Sequence, residues 1–148
     1  MFQKLLAQSI LPRVVISFLS SVPVSIWRKK IINNEDPKDI FLDFIRTAPE
    51  WMLDIDPELL EEVRKHPELF TYKNMVIWAY RYNRAWFEGL KDLLLSEKGK
   101  KWFDRYVMGR LREWLTTGRV RELEGEMIKI LEERGLFYIL RKYYPDRY

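Results

Sequence analysis

Cysteine is absent from the sequence, and histidine occurs once, as His66. The first absence excludes disulfide frameworks, thiolate zinc sites and cysteine nucleophiles, and the second excludes histidine-rich metal sites. The glycine-rich phosphate-binding loops and the Gly-x-Ser-x-Gly nucleophile motif are missing as well. We therefore expect a protein that is not an enzyme, with no catalytic residue, metal, cofactor or small-molecule substrate.

The charges are divided unevenly along a chain that is long enough for one domain. Of 148 residues, 47% are hydrophobic and 32% charged, which is typical of a chain that buries a core. Residues 1–34 hold five bases and no acid, residues 35–70 four bases and eleven acids, and residues 71–148 seventeen bases and eleven acids. This division favours a chain that presents surfaces of opposite charge to different neighbours. The alternative is that the charges of each segment only solvate its own outer face.

Residues 1–34 differ in kind from the rest of the chain. An uncharged apolar run from Val14 to Trp27 lies between Arg13 and the basic residues 28–30, and it is too short for a membrane span of about 20 residues. Three interpretations are open: an arm that packs on neighbouring subunits, a segment in a membrane interface, or a piece folded onto its own core. We favour the arm, and we predict subunit contacts by its apolar residues: Val14, Val15, Ile16, Phe18, Leu19, Val22, Val24, Ile26 and Trp27.

Residues 35–148 have the pattern of a helical bundle. Asp36-Pro37 and Asp56-Pro57 are helix start signals, and apolar residues follow each of them at helical spacing. The longest helix is predicted from Tyr72 to Leu95, and no hairpin signal competes with the helices. We predict an all-α fold, an irregular four- to six-helix bundle over residues 35–148 with an apolar N-terminal arm over residues 1–34.

A basic stretch between residues 98 and 121 indicates phosphate binding. Lysine and arginine neutralise nucleic-acid phosphates without reading sequence, and aromatic residues are interleaved with them here. The alternative is that these bases pair with the acids of the same stretch on a bundle surface. We predict that nucleic acid is contacted by seven residues: Lys98, Lys100, Lys101, Arg105, Arg112, Arg119 and Arg121.

Two aromatic-rich stretches, residues 78–86 (WAYRYNRAW) and residues 143–148 (YYPDRY), have the style of crenarchaeal virus proteins. With its acid-free apolar N-terminus, the chain resembles the helical-bundle coat proteins, or major capsid proteins, of tailed spindle-shaped archaeal viruses. These are related to the coat proteins of rod-shaped and filamentous archaeal viruses. The resemblance implies a virion shell in which apolar arms join neighbouring subunits and basic faces meet packaged DNA. Only four asparagines and two glutamines are present, which fits a thermophilic source.

The expected function is therefore that of a viral coat protein that self-assembles through its N-terminal arm into a helical shell around packaged DNA. Its partners would be further copies of itself and double-stranded DNA, with lipid contact by the arm as a third. It would be located in the virion, and otherwise in the cytoplasm of the host cell. The alternative is a virus- or plasmid-encoded regulator that binds RNA polymerase or duplex DNA.

Overall fold

Helices occupy most of the computed structural model, which describes the backbone of residues 2–148 and the side chains of residues 9–148. The described residues are 78% helical and contain no strand. The all-α prediction is confirmed, whereas four to six helices is an undercount, because the helix predicted from Tyr72 to Leu95 is divided in two and the residues before 35 form helices as well.

The helices follow one another with short connections. The first six are α1 Phe2–Leu19, α2 Val24–Ile32, α3 Lys38–Thr47, α4 Glu50–Leu53, α5 Pro57–Lys65 and α6 Tyr72–Tyr82. The remaining five are α7 Arg84–Leu94, α8 Glu97–Phe103, α9 Gly109–Thr117, α10 Glu124–Glu133 and α11 Phe137–Tyr143. Between α8 and α9 the chain forms a π-helical stretch, Asp104–Met108, so that residues 97–117 are one uninterrupted rod.

Local capping explains where several helices begin and end. The Asp56 carboxylate accepts a hydrogen bond from the Glu58 amide at the start of α5, and the Thr71 hydroxyl accepts one from the Asn74 amide at the start of α6. Gly118 and Gly135 adopt left-handed backbone conformations immediately after α9 and near the end of α10. These signals act within one turn of the chain, which is why the sequence predicts them.

The helix predicted from Tyr72 to Leu95 is broken at Asn83. The backbone of Asn83 leaves the helical region, and its side-chain oxygen accepts a hydrogen bond from the amide of Trp86. Its side-chain nitrogen donates to the Ser20 hydroxyl at 2.7 Å. Asn83 therefore starts α7 as a new helix, and its contact with Ser20, directly after α1, is one that the apolar periodicity does not reveal.

Trp27 lies at the centre of the core, fully buried and surrounded by aromatic rings from distant parts of the chain. The rings of Phe18, Trp86, Trp102 and Phe103 lie 5.7 to 6.3 Å from it between centroids. The Trp27 indole nitrogen donates a hydrogen bond to the carbonyl oxygen of Leu19 at 2.9 Å. Aromatic contacts of this kind add about 0.5–1.5 kcal/mol each to the burial of their surface, so the apolar segment is a main contributor to the core.

The expected N-terminal arm is not confirmed as a separate unit. From Leu11 onward, α1 packs against α5 and α6, and α2 packs against α7 and α8. No single helix among the described residues is long and apolar enough to cross a membrane. Ser9–Leu19 and Val24–Ile32 reach that length and composition only as a pair, with a 77° bend between them.

Candidate nucleic-acid interface

The rod formed by residues 97–117 positions the predicted basic residues. The Ser96 hydroxyl begins α8 by accepting a hydrogen bond from the Gly99 amide at 3.0 Å. Trp102 and Phe103 are buried, and the Trp102 indole nitrogen donates to the Glu35 carbonyl oxygen at 2.9 Å. These two anchors turn the opposite side of α8 toward solvent.

Three predicted residues, Lys100, Lys101 and Arg105, lie on that solvent side. All three are exposed, and none forms an ion pair within 4 Å among the described side chains. The Arg105 guanidinium lies 5.0 Å from the centre of the Tyr106 ring. Two acids, Glu97 and Asp104, are exposed on the same side, so the surface carries a small excess of positive charge.

Lys98, Arg112 and Arg121 extend this surface in different directions. The Lys98 amine donates to the Ile32 carbonyl oxygen at 3.0 Å, which draws it toward the end of α2. The Arg112 guanidinium lies 5.8 Å from the centre of the Phe70 ring and keeps its charge exposed. Arg121 is exposed, and its backbone amide donates to a carboxylate oxygen of Glu113.

Arg119, the seventh predicted residue, is engaged within the fold. Its guanidinium forms an ion pair with Glu124 and lies 4.3 Å from the centre of the Tyr144 ring. The hydrogen bond to Glu124 raises the pKa of Arg119 above its ordinary value. Arg119 is therefore not a free cation in this conformation, as the alternative of internal pairing anticipated.

Arg110 is the most heavily bonded cation of the stretch. Its side chain is only 7% exposed, and its two terminal nitrogens bond both carboxylate oxygens of Asp36 at 2.6 and 2.9 Å. Two further bonds join it to Glu122 at 3.0 and 3.2 Å. The pair with Asp36 raises the pKa of Arg110 and lowers that of Asp36, so Arg110 joins α9 to the start of α3 and is not part of the interface.

The nine predicted subunit contacts are mostly inside the chain's own core. Five are at most 3% exposed: Val14, Val15, Phe18, Leu19 and Trp27. Three are partly buried against the core: Ile16, Val22 and Val24. Only Ile26 stays largely open, at 39% exposed. Aromatic residues of α7 and α8 surround Trp27, so in this structure the segment forms part of the chain's own core, and contact with neighbouring subunits stays a prediction.

The sequence reading missed a second surface around Tyr82. The Tyr82 side chain is 61% exposed and stands between two cavities of about 550 and 310 Å³. We call the two cavities with the ring between them the Tyr82 cleft. The larger cavity is lined by residues of α1, by Ser20 directly after it, and by Tyr82 and Asn83. The lining of the smaller cavity includes Pro12, Trp78 and Arg81.

A sequence signal for this cleft exists, but it becomes visible only when two segments are taken together. Residues 1–34 and residues 69–87 contain no aspartate or glutamate, and α1 packs directly on α6. The resulting surface presents Arg13, Arg81 and Arg84, which form no ion pair with any described side chain. No aspartate or glutamate lines either cavity.

Within residues 9–148, no three histidine or acidic side chains come close enough together to hold a metal ion. The side chains that this surface presents for binding are exposed cations and aromatic rings. Comparison of the chain with protein-family models, with curated proteins and with solved structures finds no match.

Proposed function

We propose that this protein is a structural protein of a virion that binds duplex DNA through phosphate contacts from α8 and α9. The observation that carries the DNA-binding part of the proposal is that Lys100, Lys101 and Arg105 are exposed and unpaired, with Arg112 further along the same rod. Arg110 and Arg119 of the same stretch form ion pairs within the chain. Charge that the fold does not use is available for an external anion.

The dimensions of the rod suit a DNA backbone. Lys101 and Arg112 are eleven residues apart, which corresponds to about 16 Å along a helix, or roughly five steps of 3.4 Å along one DNA strand. Flexible, exposed lysine and arginine side chains suit contacts to phosphates, which position a protein on DNA without specifying sequence. We therefore expect binding that depends strongly on salt and weakly on base sequence.

Neutralising three cations tests the DNA contact. Replacing Lys100, Lys101 and Arg105 with glutamine should remove up to three phosphate contacts and lower the slope of log K against log salt by about 2.7, at about 0.9 per phosphate. The measurement is fluorescence anisotropy of a labelled duplex over a series of salt concentrations. A matched triple variant replaces three exposed cations outside the 97–117 rod with glutamine: Lys129, Arg141 and Arg147.

The control variant should keep the wild-type slope. An unchanged slope in the first variant, or an equal fall in both, would contradict the assignment of the α8 surface, because both variants lose the same net charge.

The assembly part of the proposal needs its own test. Deleting residues 1–30 is unsuitable, because it removes Trp27 from the centre of the core and should unfold the protein. The full chain should instead be examined by sedimentation and electron microscopy, with and without duplex DNA. Filaments or tubes would support a coat protein. A discrete monomer or dimer that binds duplex DNA under all conditions would favour the alternative, a regulator.

A further inference from the structure

The Tyr82 cleft combines a free aromatic face with unpaired cations. Tyr82 lies at the end of α6, directly before the break at Asn83, and the hydrogen bond from Asn83 to Ser20 ties this break to the end of α1. The larger cavity therefore lies between two helices that are fixed to each other at one end. The exposed Tyr82 ring lies beside this cavity, at the end of α6 that the hydrogen bond from Asn83 to Ser20 holds against α1.

Three arginines lie near the ring, and none of them forms an ion pair with a described side chain. Arg13 lines the larger cavity and Arg81 the smaller one. Arg84 follows the break, and its guanidinium lies 3.6 Å from the centre of the Tyr80 ring, which is itself 46% exposed. Since neither cavity is lined by aspartate or glutamate, the field at the cleft favours an anionic ligand.

We propose that the Tyr82 cleft binds single-stranded nucleic acid, with an unpaired base stacked on the Tyr82 ring and the adjacent phosphates held by Arg13 and Arg81. Aromatic rings beside a positively charged groove are the combination that single-strand binding uses, because every base has a flat face and every nucleotide a phosphate. In a duplex the base faces are covered by their neighbours, so this cleft favours unpaired bases. The site is separate from the duplex-binding surface proposed on α8 and does not depend on it.

The test compares variants of the full chain by fluorescence anisotropy with labelled oligonucleotides of one length. Tyr82→Ala should weaken binding by between about fivefold and a hundredfold, the effect of losing one stacked base, while Tyr82→Phe should bind like the wild type because it keeps the ring. Tyr138→Ala removes another exposed tyrosine, 43% exposed and on α11, and should leave binding unchanged. Replacing Arg13 and Arg81 with glutamine should lower the salt slope by about 1.4, at about 0.7 per phosphate.

Two probe arms define the ligand. Oligothymidylate and oligouridylate distinguish DNA from RNA, and binding of either one through Tyr82 supports the proposal. An abasic phosphodiester chain of the same length should bind weakly and without dependence on Tyr82, because it has no base to stack.

Three results would overturn the proposal. They are no binding of either oligonucleotide by the wild type, equal affinity of the wild type and Tyr82→Ala, or equal affinity for the abasic chain. The glutamine variant of Lys100, Lys101 and Arg105 should keep its single-strand affinity. Failure of the α8 assignment is therefore distinguishable from failure at the cleft. Thermal unfolding of each variant, followed by circular dichroism, verifies that this exposed side chain is not needed for folding.

Discussion

Replacing Arg110 with methionine removes four hydrogen bonds to carboxylates while keeping most of the buried apolar stem. In the wild type, both terminal nitrogens of Arg110 bond Asp36, and Glu122 takes the remaining contacts. Asp36 also accepts a hydrogen bond from the Lys38 amide at 2.9 Å, at the start of α3. The substitution therefore loosens the joint between α9 and α3 without opening a large cavity.

The size of the effect follows from how well water replaces the lost partner. Breaking a fully buried ion pair costs about 3–5 kcal/mol, but the side chains of Asp36 and Glu122 are 37% and 66% exposed. Water will solvate both carboxylates in the variant, so we expect a loss of about 2 kcal/mol in the free energy of unfolding. For a domain of this size that lowers Tm by about 4–8 °C.

Urea unfolding followed by tryptophan fluorescence measures this loss. The matched control is Arg46→Met, because Arg46 pairs with Asp43 on the surface, where the two side chains are 53% and 67% exposed. An exposed pair of this kind contributes less than about 1 kcal/mol. The difference between the losses in free energy of unfolding of the two variants then gives the effect of burying the arginine.

The pH dependence has a definite sign. The hydrogen bond from Arg110 holds the pKa of Asp36 below its ordinary 3.8, so the unfolded chain takes up this proton at a higher pH than the folded chain does. The stabilisation is present above that ordinary value and is lost as the pH falls through the lowered pKa of the folded state. The difference between wild type and Arg110→Met should therefore be largest near neutral pH and shrink in acid.

Two outcomes would refute this reasoning about Arg110. One is a loss no greater than that of Arg46→Met, which would mean that the buried contacts contribute no more than surface ones. The other is a difference that persists undiminished well below the ordinary pKa of Asp36, which would assign the effect to packing instead of charge.

Glycine substitutions test two close approaches in the fold. A Cβ at Gly118 would overlap the Tyr143 ring, whereas Gly135 has a similar left-handed backbone and open space around it. Both alanine variants carry the left-handed penalty of about 1–2 kcal/mol, so any additional loss in Gly118→Ala, about 1–3 kcal/mol, measures the contact with Tyr143. Gly99→Ala should lose about 2 kcal/mol or more, because its Cβ would overlap the carbonyl oxygen of Leu93. Urea unfolding measures all three, and equal losses for Gly118→Ala and Gly135→Ala would contradict the first expectation.

Much of the helical structure is predictable from neighbouring residues alone. Asp56 and Thr71 mark helix starts where the sequence indicates them, because a cap forms with amides one turn away. The break at Asn83 is the exception. Apolar residues continue at helical spacing on both sides of it, and the Ser20 hydroxyl that meets its side chain lies 63 residues away.

The candidate sites, too, are only partly predictable from the sequence. The sequence identifies the basic stretch of α8 and α9, but it does not distinguish Lys100 and Lys101, which are free, from Arg119, which is paired. The Tyr82 cleft is invisible in either of its segments alone, because it exists only where the acid-free α1 and α6 meet.

The helical class, the helix starts at Asp56 and Thr71 and the absence of thiol chemistry are all predictable from the amino-acid sequence. Two features are visible only in the folded chain: Trp27 lies inside the chain's own core, and Arg110 joins α9 to Asp36, 74 residues away. The physical reason is the range of the interactions. Capping and periodicity act within a few residues, whereas burial and ion pairing depend on groups that become neighbours only when the chain folds.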